Sequence, residues 1–133
     1  MDKNRYAWIQ PISGTFEEAV AKVRQALMQQ GFGILTEIDV STTFQNKLQV
    51  SWPKTLILGA CNPPLAHKAM MADHDVSVFL PCNVVVRETR QGSLEIAVIN
   101  PEILGDIIQN HQLSEVAAEV SKRIRLALDQ LAA

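Results

Sequence analysis

The sequence predicts an α+β fold, a two-layer β-α-β(4)-α sandwich in which helices pack on a mainly antiparallel sheet. Three observations carry this. Apolar spacing is strand-like near the start, turns helical, becomes strand-like in four later segments and is helical again at the end. Gly, Pro and Asn mark the joints between these segments. Finally, 133 residues with 47% hydrophobic and 20% charged side chains suit one domain, residues 1–133, whose core needs no metal or disulfide staple.

Tyr6 to Ile12 reads as the first strand, ended by Pro11 and Gly14. Thr15 and Glu18 then have the spacing of a capping box, and Phe16, Ala19, Val20, Val23 and Leu27 recur at helical spacing, which predicts a helix from about Phe16 to Gln30 stopped by Gly31. In ILTEIDV, Ile34, Thr36, Ile38 and Val40 point one way and Leu35, Glu37 and Asp39 the other, the alternation of a half-buried strand. STTFQNKL, with Phe44 and Leu48 one turn apart, suits a short helix closed off by Pro53. Thr55 to Cys61 is apolar on both faces, as in a central strand or at a subunit contact, and this predicts a homodimer.

Asn62 is a good helix N-cap and Pro63 fits the first helical position, so a helix follows Cys61 directly and ends near Asp73 to Asp75. Val76 to Leu80 is apolar but interrupted by Pro81. Cys82 to Thr89 and Leu94 to Ile99 then form a hairpin turning through Arg90, Gln91 and Gly92. Asn100 and Pro101 repeat the cap-plus-proline start, for a short helix near Glu102 to Ile108. From Ser114 onward Val116, Val120, Ile124, Leu128 and Leu131 share one stripe of an amphipathic helix, with Glu115 and Glu119 early and Lys122, Arg123 and Arg125 later, as the helix dipole favours.

The balance of charge narrows the partners. A net charge of -2 supplies no excess of cations to neutralise phosphates, and 5% aromatic residues leave few platforms for stacking bases, so nucleic acid is not an expected partner. MDKNRYAWIQPISG has mixed charge and no apolar run, and no window reaches the length of a membrane span; a cytoplasmic protein is expected, with no membrane partner. In that compartment the two cysteines are expected to be thiols.

The blocks GFGILTEID, LILGACNPPLAHKA and LPCNVVVRE, in that order and spacing, resemble the small bacterial domain-of-unknown-function family 302. The resemblance implies a TATA-binding-protein-like β-α-β(4)-α topology. It implies no established activity, and a fold shared with a DNA-binding protein does not carry DNA binding with it.

The candidate site centres on Cys61, at the junction of a strand and a helix. A thiolate there would be stabilised by the first amides of the helix and the positive end of its dipole. Cys61-Asn62-Pro63-Pro64 is similar to the Cys-Pro-x-Pro site of small sulfur-carrier proteins. The plainer reading makes Cys61 a small hydrophobe finishing a buried strand. Cys82 has the same two readings. The two thiols are expected near one another at the same end of adjacent strands, with Asn62 and His67 facing the same cleft and Asn83 offering a polar contact. His67 could join Cys61 and Cys82 as a soft-metal ligand, but no fourth ligand presents itself, and the spacing matches no zinc motif. Glu37 and Asp39 share one strand face about 7 Å apart, close enough for mutual repulsion to raise one pKa. Trp8 and Trp52 read as packing or subunit-contact residues. The first functional reading is therefore a non-enzymatic ligand-binding or accessory module with a pocket near Cys61. The alternative is a thiol-based redox, sulfur-carrier or soft-metal-binding protein using Cys61 and Cys82. No cofactor or ligand is named by either.

Overall fold

The computed structural model describes residues 2–3 and 6–132. Six strands, β1 (Asp2–Lys3), β2 (Ala7–Ile12), β3 (Gly33–Asp39), β4 (Thr55–Cys61), β5 (Cys82–Glu88) and β6 (Leu94–Ile99), lie in the order β1-β2-β6-β5-β4-β3, and every neighbouring pair is antiparallel. Among the described residues five α-helices accompany them: α1 (Phe16–Gln29), α2 (Val40–Leu48), α3 (Pro63–Ala72), α4 (Glu102–Ile107) and α5 (His111–Leu131). The predicted α+β sandwich is the observed one, extended by the two-residue β1. Among the described residues no helix is long and apolar enough to cross a membrane.

Helix α1 starts where the capping box requires. Thr15 Oγ1 accepts from the Glu18 amide at 3.1 Å, and Glu18 Oε1 accepts from the Thr15 amide at 3.1 Å. From β2 at one side of the sheet, α1 carries the chain to β3 at the far edge, and β3 to β6 then run back as a meander to pair with β2. Alternate residues of the strands face α1 and α5: Trp8 and Ile12, Leu58 and Ala60, Val84 and Val86, Ile96 and Val98 meet Val23, Leu27, Ile124 and Leu128 in the main core. Gln10 is buried in the same layer and its Nε2 donates to the Leu128 carbonyl at 2.7 Å, which ties β2 to α5. A second, smaller core gathers Ala69, Val76, Leu104 and Leu113 beyond the end of the sheet.

Three local expectations are corrected, and one segment that the sequence leaves unassigned takes shape. Pairing in β3 shifts register between Ile34 and Thr36, so Ile34 packs on the main core while Thr36 and Ile38 lie opposite Gly59 and Ile57 on the other face. The bulge breaks the even alternation that the sequence suggests. Val40 opens α2 instead of finishing β3, because Asp39 Oδ1 accepts from the Thr42 amide at 3.0 Å and the Ser41 hydroxyl at 2.8 Å. His74–Phe79 is a 3-10 helix, capped by Asp73 through the Asp75 amide, and the chain enters β5 through a cis Leu80-Pro81 bond. Helix α5 begins about a turn before Ser114, since Asn110 Oδ1 accepts from the Leu113 amide at 3.1 Å.

Ser121, in α5, is fully buried, and its hydroxyl has no hydrogen-bond partner among the described residues. An unpaired buried hydroxyl carries a desolvation penalty, so Ser121→Ala is expected to stabilise the protein by up to about 1 kcal/mol, read as a raised thermal midpoint. A lowered midpoint would show that the hydroxyl has a partner after all.

Candidate functional site

Where the two cores meet, packing is incomplete. The end of β4 and the start of β5 abut α3 and α5 through small side chains, Ala60, Ala66, Ala69 and Ala117, and between them lies an apolar cleft with a free volume of about 50 Å³. A single water needs roughly 10–15 Å³, and a benzene-sized void is about 150 Å³, so the cleft suits a slender alkyl group better than a ring. Cys61 and Cys82 both border it, as do Asn62, Val116 and Val120.

The thiols are close neighbours without being a facing pair. Register sets Ala60, not Cys61, across from Cys82, and the pleat alternates successive side chains. Both cysteines are free, Cys61 half-buried and Cys82 buried. Burial pushes Cys82 up to about 11, with the nearby Cys61 adding to the shift, and burial pushes Cys61 up as well.

That direction is opposite to the one expected from the helix N-terminus: burial sets it, and Asn62-Pro63-Pro64 leaves little to oppose it. The two prolines have no N–H to offer. The next amide, of Leu65, donates to Asn62 Oδ1 at 3.3 Å, and the amide of Ala66 donates to the Asn62 carbonyl at 2.8 Å. No amide of that first turn is left to hold a thiolate. Asn62 is buried, and its Nδ2 donates to the Gln30 carbonyl at 3.4 Å, so it caps α3 and anchors the loop after α1.

The other candidates lie elsewhere. His67 is exposed and faces a separate shallow hollow with Lys68 and Glu115, so it does not share the cleft with Cys61. Its place on α3 explains this, because Leu65 and Ala69 take the inward positions and His67 falls between them. Asn83 is exposed on the sheet face away from α1 and α5, one residue out of step with buried Cys82. Glu37 is ion-paired with Arg24 of α1, and the cap hydrogen bonds from Thr42 and Ser41 hold the Asp39 carboxyl below its ordinary value. Asp39 is lowered, not raised. Among the described residues no three His, Cys, Asp or Glu side chains converge on a point that could hold a metal.

Sequence reasoning passed over the α5 wall of the cleft. Val116 and Val120 were legible only as members of an amphipathic stripe, and the one signal of a void was the recurrence of small residues, Ala66, Ala69 and Ala117, on segments otherwise rich in larger apolar ones.

A model of the family described as Domain of unknown function DUF302 matches residues 8–131. Among solved structures the chain is similar to the crystal structure of an uncharacterized conserved protein DUF302 from Bacillus stearothermophilus, with a TM-score of 0.89 and 28% identity over 96% of this chain and 99% of that one. No curated protein matches.

Proposed function

The chain belongs to the DUF302 family, and from that premise we propose that it is a cytoplasmic, non-enzymatic ligand-binding or accessory module that holds a slender apolar group in the cleft between α3, α5 and the sheet end. The observation that carries this reading is an unfilled void lined by apolar side chains, in which Ala60, Ala66, Ala69 and Ala117 leave room between Leu65, Leu104 and Leu113 that a close-packed interior would fill. The polar atoms at its border are already engaged or uncharged: Asn62 is used as a cap, and both thiols keep their protons at neutral pH. The part of a ligand that enters is therefore apolar. On this reading the module is a homodimer and takes neither nucleic acid nor membrane as a partner.

The test uses a fluorescent dansyl amide with a short n-butyl tail, a chain matched to the small void. Its emission should rise on addition of the protein and saturate at one probe per chain. Ala66→Leu, at a half-exposed position on the cleft wall, and Ala117→Phe, at a buried one, should each weaken binding at least tenfold, by about 1.4 kcal/mol or more. Ala66→Leu decides the matter if Ala117→Phe does not fold. Binding that neither folded variant alters, or no binding by the wild type, would sink the assignment.

The second reading, thiol chemistry at Cys61 and Cys82, is favoured by one fact, that both border the same cleft. Their upward shifts leave little thiolate at neutral pH, which places it behind the first.

A further inference from the structure

Helices α1 and α5 cover one face of the sheet. The pleat puts Ile57, Val85, Ala97 and Ile99 on the other, with Ile38 at its edge and half exposed. An antiparallel sheet that meets water on one side ordinarily alternates apolar and polar residues, and here the outer set is largely apolar too. Its charged pair toward the Trp52 end cancels: Arg87 and Glu95 are direct cross-strand partners, with Nε to Oε1 at 2.9 Å. Two hollows of about 400 and 440 Å³ meet at Arg87, one walled by Phe79 and the other by Trp52. Phe79 is 37% exposed and Trp52 45%. They stand at opposite ends of the strands, Phe79 by Asn83 and Trp52 by Thr55.

We propose that this face is the contact surface of an isologous homodimer, in which a second copy of the chain stacks on it face to face. Three features select a second copy. The middle of the face, Ile57, Val85 and Ala97, carries no charge, and the Arg87–Glu95 pair near its end is mutually neutralised, so a twin meets no net repulsion, whereas a polyanion would find Arg87 already neutralised. Five strands about 4.8 Å apart and six residues long cover roughly 24 by 20 Å, so two such faces bury close to 1,000 Å² before the rims are counted, the lower bound of a specific interface. And a two-fold axis lying across the strands exchanges their ends. It brings Trp52 of one copy over the hollow beside Phe79 of the other, an aromatic anchor of the kind that concentrates binding energy. The proposal does not rest on the cleft.

Sedimentation velocity of the full chain, from micromolar to tenth-millimolar concentration, tests it. The wild type should be dimeric. Val85→Arg should give a monomer with the far-ultraviolet circular dichroism of the wild type. Trp52→Ala, at an exposed rim position that cannot unfold the core, should weaken association at least about tenfold. Leu35→Lys, on the β3 edge and 66% exposed, should leave the dimer intact. If Val85→Arg fails to fold, Trp52→Ala decides. A wild type that stays monomeric throughout leaves the face to some other occupant and overturns the proposal. So does a dimer that Trp52→Ala does not weaken, or one that Leu35→Lys dissociates through the sheet edge.

Discussion

Gly59→Val destabilises the protein by about 1–3 kcal/mol, the range for overfilling a packed site. Gly59 sits in β4, between β3 and β5, where Thr36 and Asn83 are its partners across the two ladders. A Cβ built there would lie 2.8 Å from Pro81 Cγ and would collide with the Thr36 side chain. Neither neighbour can yield easily. Pro81 is a rigid ring at the entry to β5, and Thr36 is β-branched and held in a strand. The backbone at Gly59 does not require glycine for its conformation, so the effect is steric. Urea denaturation measures it as a lowered midpoint with an unchanged slope. Thr36→Ala should recover part of the loss in the background of Gly59→Val, because it removes the closer of the two obstructions. A midpoint unmoved by Gly59→Val would mean that the space over β4 is larger than described.

Cys82 makes stability fall as the solution turns alkaline. Its thiol is pushed up to about 11 by burial, from 9.0 in the unfolded chain. Below pH 9 both states hold the proton, and the full stability is present. Between pH 9 and 11 the unfolded chain releases it first, so the folded state binds more protons and stability declines with rising pH. Above pH 11 the loss levels off. Two pH units correspond to about 3 kcal/mol at most, and Cys61, pushed up by the same cause, acts in the same direction. Cys82→Ala should flatten this part of the profile, while the titration of surface groups stays common to both proteins. Parallel profiles for wild type and variant through that window would falsify the account of Cys82 as a buried neutral thiol.

The buried thiol also shows where reading the chain in one dimension stops. Elements that depend on neighbours within a few residues were legible: the Thr15/Glu18 capping box, the Asn62-Pro63 helix start, the Thr55–Cys61 strand and the hairpin of β5 and β6 all stand where their residues place them. Their signals are local hydrogen bonds, fixed proline geometry and side-chain periodicity, which the order of residues contains. The α+β class followed from the sequence of those elements. The proximity of Cys61 and Cys82 was legible too, because only one helix and a 3-10 turn separate β4 from β5.

Other features were settled only when distant segments met. The bulge at Leu35 comes from matching β3 to β4, and it moved Thr36 and Ile38 to the face away from Ile34. Glu37 met Arg24 of α1 instead of repelling Asp39, a pairing that joins two elements. His67 and Asn83 are near the thiols in sequence but were turned away from the cleft by helical and strand periodicity once Leu65 and Cys82 had taken the inward positions. The sign of the thiol shifts belongs here as well. Position at a helix start favours a thiolate, but desolvation by α3, α5 and the sheet opposes it, and the two prolines and the Asn62 cap had already removed the amides that would have answered. Burial and electrostatics depend on every group within a few ångströms, and which groups those are is a property of the folded chain.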